Sequence, residues 1–132
     1  MEALDGALVD LGYPPLGENR HVRMGDPLHG VLPTAAVEKP GCAPLKFVFG
    51  PYLDLWVGPF SEVLNEELTE ATKDDAKYWI TQVLRSEVTW RARWMSVELV
   101  LRVPGSEPWR RLRTFGAGRD PDLQPSYAPY AP

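Results

Sequence analysis

The feature that most constrains this chain is a change of hydrophobic period at Val88. Ala76, Trp79, Ile80, Val83, Leu84 and Val88 recur at i, i+3, i+4, i+7, i+8 and i+12, which is one face of an α-helix. From Val88 the period becomes two. Val88, Trp90, Ala92 and Trp94 alternate with Thr89, Arg91 and Arg93, the pattern of a half-buried strand. After Met95-Ser96 the phase slips by one, and Val97, Leu99, Leu101 and Val103 take the apolar positions. A one-residue slip turns every side chain to the other face, so a bulge or a tight break is expected there. Pro104 to Pro108 is turn chemistry, and Trp109 to Phe115 reads as the returning strand. On it, Arg110, Leu112 and Thr114 share one face and Trp109, Arg111, Arg113 and Phe115 the other. A helix feeding antiparallel strands through short turns specifies an α+β fold.

Upstream the same logic gives strands at 45–49 and 52–57, separated by Gly50-Pro51 and closed by Gly58-Pro59. Phe60, Val63, Leu64, Leu68 and Ala71 then follow helical spacing, with Glu62, Glu66, Glu67 and Glu70 outward. These acids suit the positive end of a helix dipole. Burial of Trp79, Ile80, Val83 and Leu84 on the next helix stabilises the fold by about 6–12 kcal/mol, an upper bound because unfolded chains are themselves compact. The predicted core, 45–116, is thus an antiparallel sheet of four or five strands packed on one or two helices.

The ends read differently. Leu4, Leu8 and Leu11 mark a short helix over 3–11, stopped by Gly12 and Pro14-Pro15. From Gly12 to Pro44 there is no periodicity, and 11 of those 33 residues are Gly or Pro. Structureless loops beyond about 12–15 residues are uncommon in compact domains, so residues 1–44 are expected to form an extended arm. Residues 117–132 are expected to form a Pro/Tyr-rich tail ending in a tandem Tyr-Ala-Pro. Free, it would be polyproline-like, and Pro129 to Pro132 matches the loose Pro-x-x-Pro pattern of a groove ligand.

Charge is divided along the chain. Net charge is −4, which argues against coating nucleic acid or an anionic membrane. Residues 60–78 carry six acids against two bases, whereas 85–119 carry eight arginines against Glu87, Glu98 and Glu107. Such a dipolar surface suits electrostatic steering of a partner. The single cysteine, Cys42, excludes an internal disulfide framework. The start is acidic where a secretory leader would be basic, and no stretch has the roughly 18 apolar residues of a membrane helix. A cytoplasmic protein, or one built into a particle assembled in the cytoplasm, is expected.

Motifs that carry chemistry are missing. His21, Asp26, His29 and Cys42 are ligand types, but their spacing matches no metal site. Cys42 has no neighbouring base to activate it. Glu66, Glu67, Glu70, Asp74 and Asp75 fit a solvated helix face better than a paired-carboxylate site. No catalytic, metal or cofactor residue is therefore assigned. Five tryptophans are more than a small sheet–helix core needs. Those left over, beside Arg91, Arg93, Arg111 and Arg113, have the composition of a protein hot spot, and could alternatively stack nucleic-acid bases. Trp109, Arg91, Arg93, Arg111, Arg113, Tyr127 and Tyr130 are the candidate protein-contact residues.

Three functions fit. The leading one is a non-catalytic subunit of a larger assembly, such as a virion head or tail component or an accessory subunit, whose arms clasp protein partners or like subunits. The second is a soluble inhibitor or adaptor of the immunity type, docking the acidic run Glu62 to Asp75 on a basic partner. The third is a small enzyme or ligand-binding protein with a pocket between helix and sheet.

Overall fold

The computed structural model describes residues 2–28, 32–50, 53–57, 60–65, 73–94, 96–115 and 126–131. Within them lie two helices and two antiparallel sheets, an α+β fold. The first sheet is a five-stranded meander: β1 (Val22–Leu28), β2 (Leu32–Val37), β3 (Leu45–Phe49), β4 (Leu53–Val57) and β5 (Phe60–Asn65). The second has four strands in the order β8-β7-β6-β9, with β6 (Glu87–Arg93), β7 (Ser96–Arg102), β8 (Arg110–Phe115) and β9 (Ser126–Tyr127). The strands expected in one sheet are therefore divided between two. Helices α1 (Glu2–Asp10) and α2 (Lys73–Leu84) pack on each other, and an ion pair joins Lys77 to Asp10.

One core joins both helices and both sheets. Leu4, Ala7 and Leu8 of α1 share this core with Ile80, Val83 and Leu84 of α2, with Phe47, Leu53, Leu55 and Val57 of the first sheet, and with Leu99, Leu101 and Leu112 of the second. Where a break was expected at Met95-Ser96 there is a tight hairpin: Arg93 pairs with Ser96, and the chain turns at Trp94.

Two expectations need correction. Residues 60–65 form strand β5 rather than the start of a helix, and α2 begins only at Lys73. Phe60 pairs with Val57 at the start of β5, so antiparallel pairing wins over helical spacing. Leu53 pairs with Asn65 but Asp54 with Val63, and the extra residue between them breaks the alternation that would announce a strand. Glu66, Glu67 and Glu70 lie outside the described residues.

The second correction concerns the arm, whose residues 22–37 are strands of the first sheet. Their glycines and prolines sit where a sheet tolerates them. Pro27 is on edge strand β1 at a register shift, where a missing donor costs little. Pro33 precedes the first residue of β2 that pairs with β3. Gly25 lies opposite Thr34, and a Cβ there would stand 2.5 Å from Thr34 Oγ1, so that row closes only over glycine.

The tail also folds back. Ser126 and Tyr127 pair with Thr89 and Val88, Cys42 and Ala128 form a parallel bridge, and Ala131 N–H donates to Leu84 O at 2.8 Å. Tyr130 is only 2% exposed, with its ring 4.9 Å from that of Tyr13. Its hydroxyl is hydrogen-bonded to the Asn19 side chain, and its carbonyl accepts from Tyr13 Oη and Lys39 Nζ at 3.2 and 2.9 Å. The C-terminal segment thus joins the second sheet to the segment linking β2 and β3.

Candidate functional site

Sheet alternation decides which of the candidate residues can meet a partner. On β6, β7 and β8 the inward rows are Val88 and Trp90, Leu99 and Leu101, and Leu112; the outward rows carry the charge. Register sets Arg91, Glu98 and Arg113 side by side in one cross-strand row, with Arg111 on the same face of β8. Arg91, Arg111 and Arg113 are all exposed.

Glu98 is the exception on this face, with its side chain 2% exposed. Its carboxylate accepts from Arg111 Nη1 at 2.9 Å and has Arg113 Nη2 at 3.7 Å. A carboxylate taken out of water is retained only when paired. Here it fixes two long side chains that remain 59% and 52% exposed. Among the described residues, three arginines against one carboxylate leave these rows positive. A guanidinium has five donors, so each of the fixed forks keeps donors for an outside carboxylate. Further along, Arg102 pairs with Glu87 across the strands.

Trp94 stands at the hairpin turn beside this face and is 90% exposed. Tryptophan is highly buried on average, and beside arginine it is the residue most enriched at binding hot spots. It was among the five tryptophans counted in the sequence, and its place in the alternation suggested an ordinary strand position. The phase slip immediately after it was the available signal, because a residue at a two-residue turn belongs to neither face.

The other candidates are not free. Trp109 is half-buried and stacked on Trp79, with centroids 5.7 Å apart at 29°, and its Nε1–H donates to Ser86 Oγ at 2.7 Å. The Arg110 guanidinium lies 5.8 Å from its ring centroid. Trp109 thus closes the junction of α2 and β8. Tyr127 and Tyr130 are 7% and 2% exposed in the chain's own core, which corrects the expectation that they meet a partner. Apolar side chains adjoining a docked strand gain more by burial than by waiting in water. Arg93 ends β6 opposite Ser96, and its side chain is outside the described residues.

Among the described residues no grouped nucleophile and base lie on this face. Cys42 lines an open cleft of about 330 Å³ with Glu38, Lys39, Pro40 and Pro44. Burial pushes its thiol up, and nearby Lys39 only partly offsets this, so the thiolate that would attack is disfavoured. His29 is outside the described residues, and among those described no three His, Cys, Asp or Glu side chains are grouped to hold a metal ion. No described helix is long and apolar enough to cross a membrane. No protein-family model, curated protein or solved structure matches the chain.

Proposed function

We propose that this chain is a non-catalytic protein-binding domain that joins a larger protein complex through the outer face of its second sheet. Trp94 supplies the apolar anchor, and Arg91, Arg111 and Arg113 engage an acidic surface of the partner. The observation that carries this reading is the exposure of Trp94 beside arginines held in place by a buried carboxylate. Hot spots combine an aromatic anchor with prepositioned polar groups in this way, and preorganisation lowers the entropy lost on binding.

Contact through two free arms loses its motivation, because the described parts of both ends pack on the chain's own core. That compactness favours a second form of the same role: an inhibitor or adaptor of the immunity type, docking as a preformed body rather than clasping neighbours. The acidic run from Glu62 to Asp75 would then steer a basic region of the partner, while the arginines meet an acidic one.

The test is light scattering on the native particle, with wild type, Trp94→Ala and Arg91→Glu compared. Arg111 and Arg113 are kept, because both pair with the buried Glu98 carboxylate. The expected result is a stoichiometric complex for wild type and a 14.8 kDa monomer for both variants. A wild-type monomer, or variants that stay in the complex, would overturn the reading.

A further inference from the structure

Lys39 ties the C-terminal segment, residues 126–131, to the rest of the chain by charge. Its ammonium donates to Tyr130 O at 2.9 Å, and stands 4.9 Å from the Tyr130 ring centroid and 5.4 Å from that of Tyr13. Tyr13 Oη donates to the same carbonyl at 3.2 Å, so both lone pairs of that oxygen are taken. A cation near two ring faces is held by their quadrupoles, and the attraction disappears with the charge.

The charge is committed to this junction. Lys77 pairs with Asp10, whereas Lys39 makes no ion pair with a carboxylate among the described residues. It can also be reached from outside, because with Glu38, Pro40, Cys42 and Pro44 it lines an open cleft of about 330 Å³. The backbone ties of the segment are few. Ser126 and Tyr127 pair with Thr89 and Val88, Ala128 N–H donates to Gly41 O at 3.0 Å, and Ala131 N–H donates to Leu84 O at 2.8 Å. Chain ends held in this way open locally at a lower free energy than the core, so one charged contact carries a large share of their protection.

We infer that Lys39 is a modification site and a charge-dependent clasp: acylation of its Nζ loosens the C-terminal segment while the body of the fold stays intact. With an acyl thioester as donor, a C–N bond forms at Nζ and the thioester C–S bond breaks. The thiol and one proton leave, and the ammonium becomes a neutral amide. That amide keeps one N–H but loses the charge that both rings and the Tyr130 carbonyl hold. The buried Tyr130 ring is a separate hold, so the segment opens more often rather than departing. The clasp does not depend on the proposed docking face, and it is read in the free chain whether or not Trp94 meets a partner.

The experiment measures amide hydrogen exchange by NMR in the full chain, at Ala128 and Ala131, with Leu99 and Leu101 of β7 as the core reference. Wild type is compared with the chain acetylated on Lys39 alone, with Lys39→Gln and with Lys39→Arg. Acetylation and Lys39→Gln are each expected to speed exchange at Ala128 and Ala131 by about 10- to 100-fold, as suits loss of a hydrogen bond from a charged donor. Lys39→Arg, which keeps the charge, is expected to stay within about threefold of wild type. Leu99 and Leu101 should be unchanged throughout. Exchange at Ala128 and Ala131 that ignores acetylation would overturn the clasp. So would equal acceleration in Lys39→Arg and Lys39→Gln, which would assign the hold to side-chain shape rather than charge. Acceleration at Leu99 and Leu101 to the same degree would overturn it as well, because the whole fold would then be loosened.

Discussion

Replacing Tyr130 with alanine tests whether the C-terminal segment is part of the folded body. The side chain is 2% exposed, its ring lies against Tyr13, and Lys39 Nζ sits 4.9 Å from the ring centroid. Deleting a buried aromatic costs about 3–5 kcal/mol through lost transfer energy and the cavity left behind. A chain of this length has a total stability of about 7–20 kcal/mol at the usual value per residue, so the variant should still fold at room temperature. Each kcal/mol moves the melting temperature by roughly 3–5 °C at this size, which predicts a fall of about 10–20 °C. Tyr130→Phe separates the ring from its hydroxyl. Asn19 would lose one partner yet keep Pro14 O and the His21 N–H, so the loss should be only about 0.5–1.5 kcal/mol. Thermal unfolding followed by circular dichroism reads both. A Tyr130→Ala melting temperature within about 2 °C of wild type would refute the docking of the segment and every contact built on it.

The Trp79–Trp109 stack gives a second prediction: Ser86→Ala orphans the Trp109 indole N–H and should cost about 1–3 kcal/mol in urea unfolding, with a change in tryptophan emission. Removing both Arg111 and Arg113 strips Glu98 of two guanidinium partners and should cost about 3–5 kcal/mol, much of it restored by adding Glu98→Gln; an equally unstable triple variant would contradict the pairing. Asp54 gives a pH prediction with a definite sign. Its folded carboxyl titrates above the ordinary 3.8, so its contribution to stability is fully present below that value and is lost as pH rises through the folded value. Asp54→Asn should therefore exceed wild type in stability at neutral pH, with the difference vanishing on acidification; melting curves across the pH range check this.

What the sequence made legible followed from regular periods. Strands β3, β4, β6, β7 and β8 and helices α1 and α2 carry clean alternation or helical spacing, and the α+β class followed from them. Strands β1, β2 and β5 were hidden for local reasons. Gly25 and the prolines of the first two are tolerated because of edge position and register, and the irregularity near Leu64 disguises the third. The divided sheet was hidden because nothing in a single strand says which edge it joins. Of the candidate residues, Arg91, Arg111 and Arg113 were readable as one outward face. Trp94 was obscured by the slip beside it, and the burial of Tyr127 and Tyr130 depends on partners 39 to 117 residues away in sequence, among them Val88 and Tyr13. The pairing of Glu98 with Arg111 was likewise invisible, since it requires the register of β7 on β8.

The central claim, that Trp94 and the arginine face meet the partner, is tested most directly by hydroxyl-radical labelling of the complex isolated from its own source. In the free chain Trp94 should be the most heavily oxidised of the five tryptophans, given its exposure of 90%. In the complex its labelling should fall several-fold, while that of Tyr130 stays low in both. Labelling of Trp94 that is unchanged on complex formation would contradict the account.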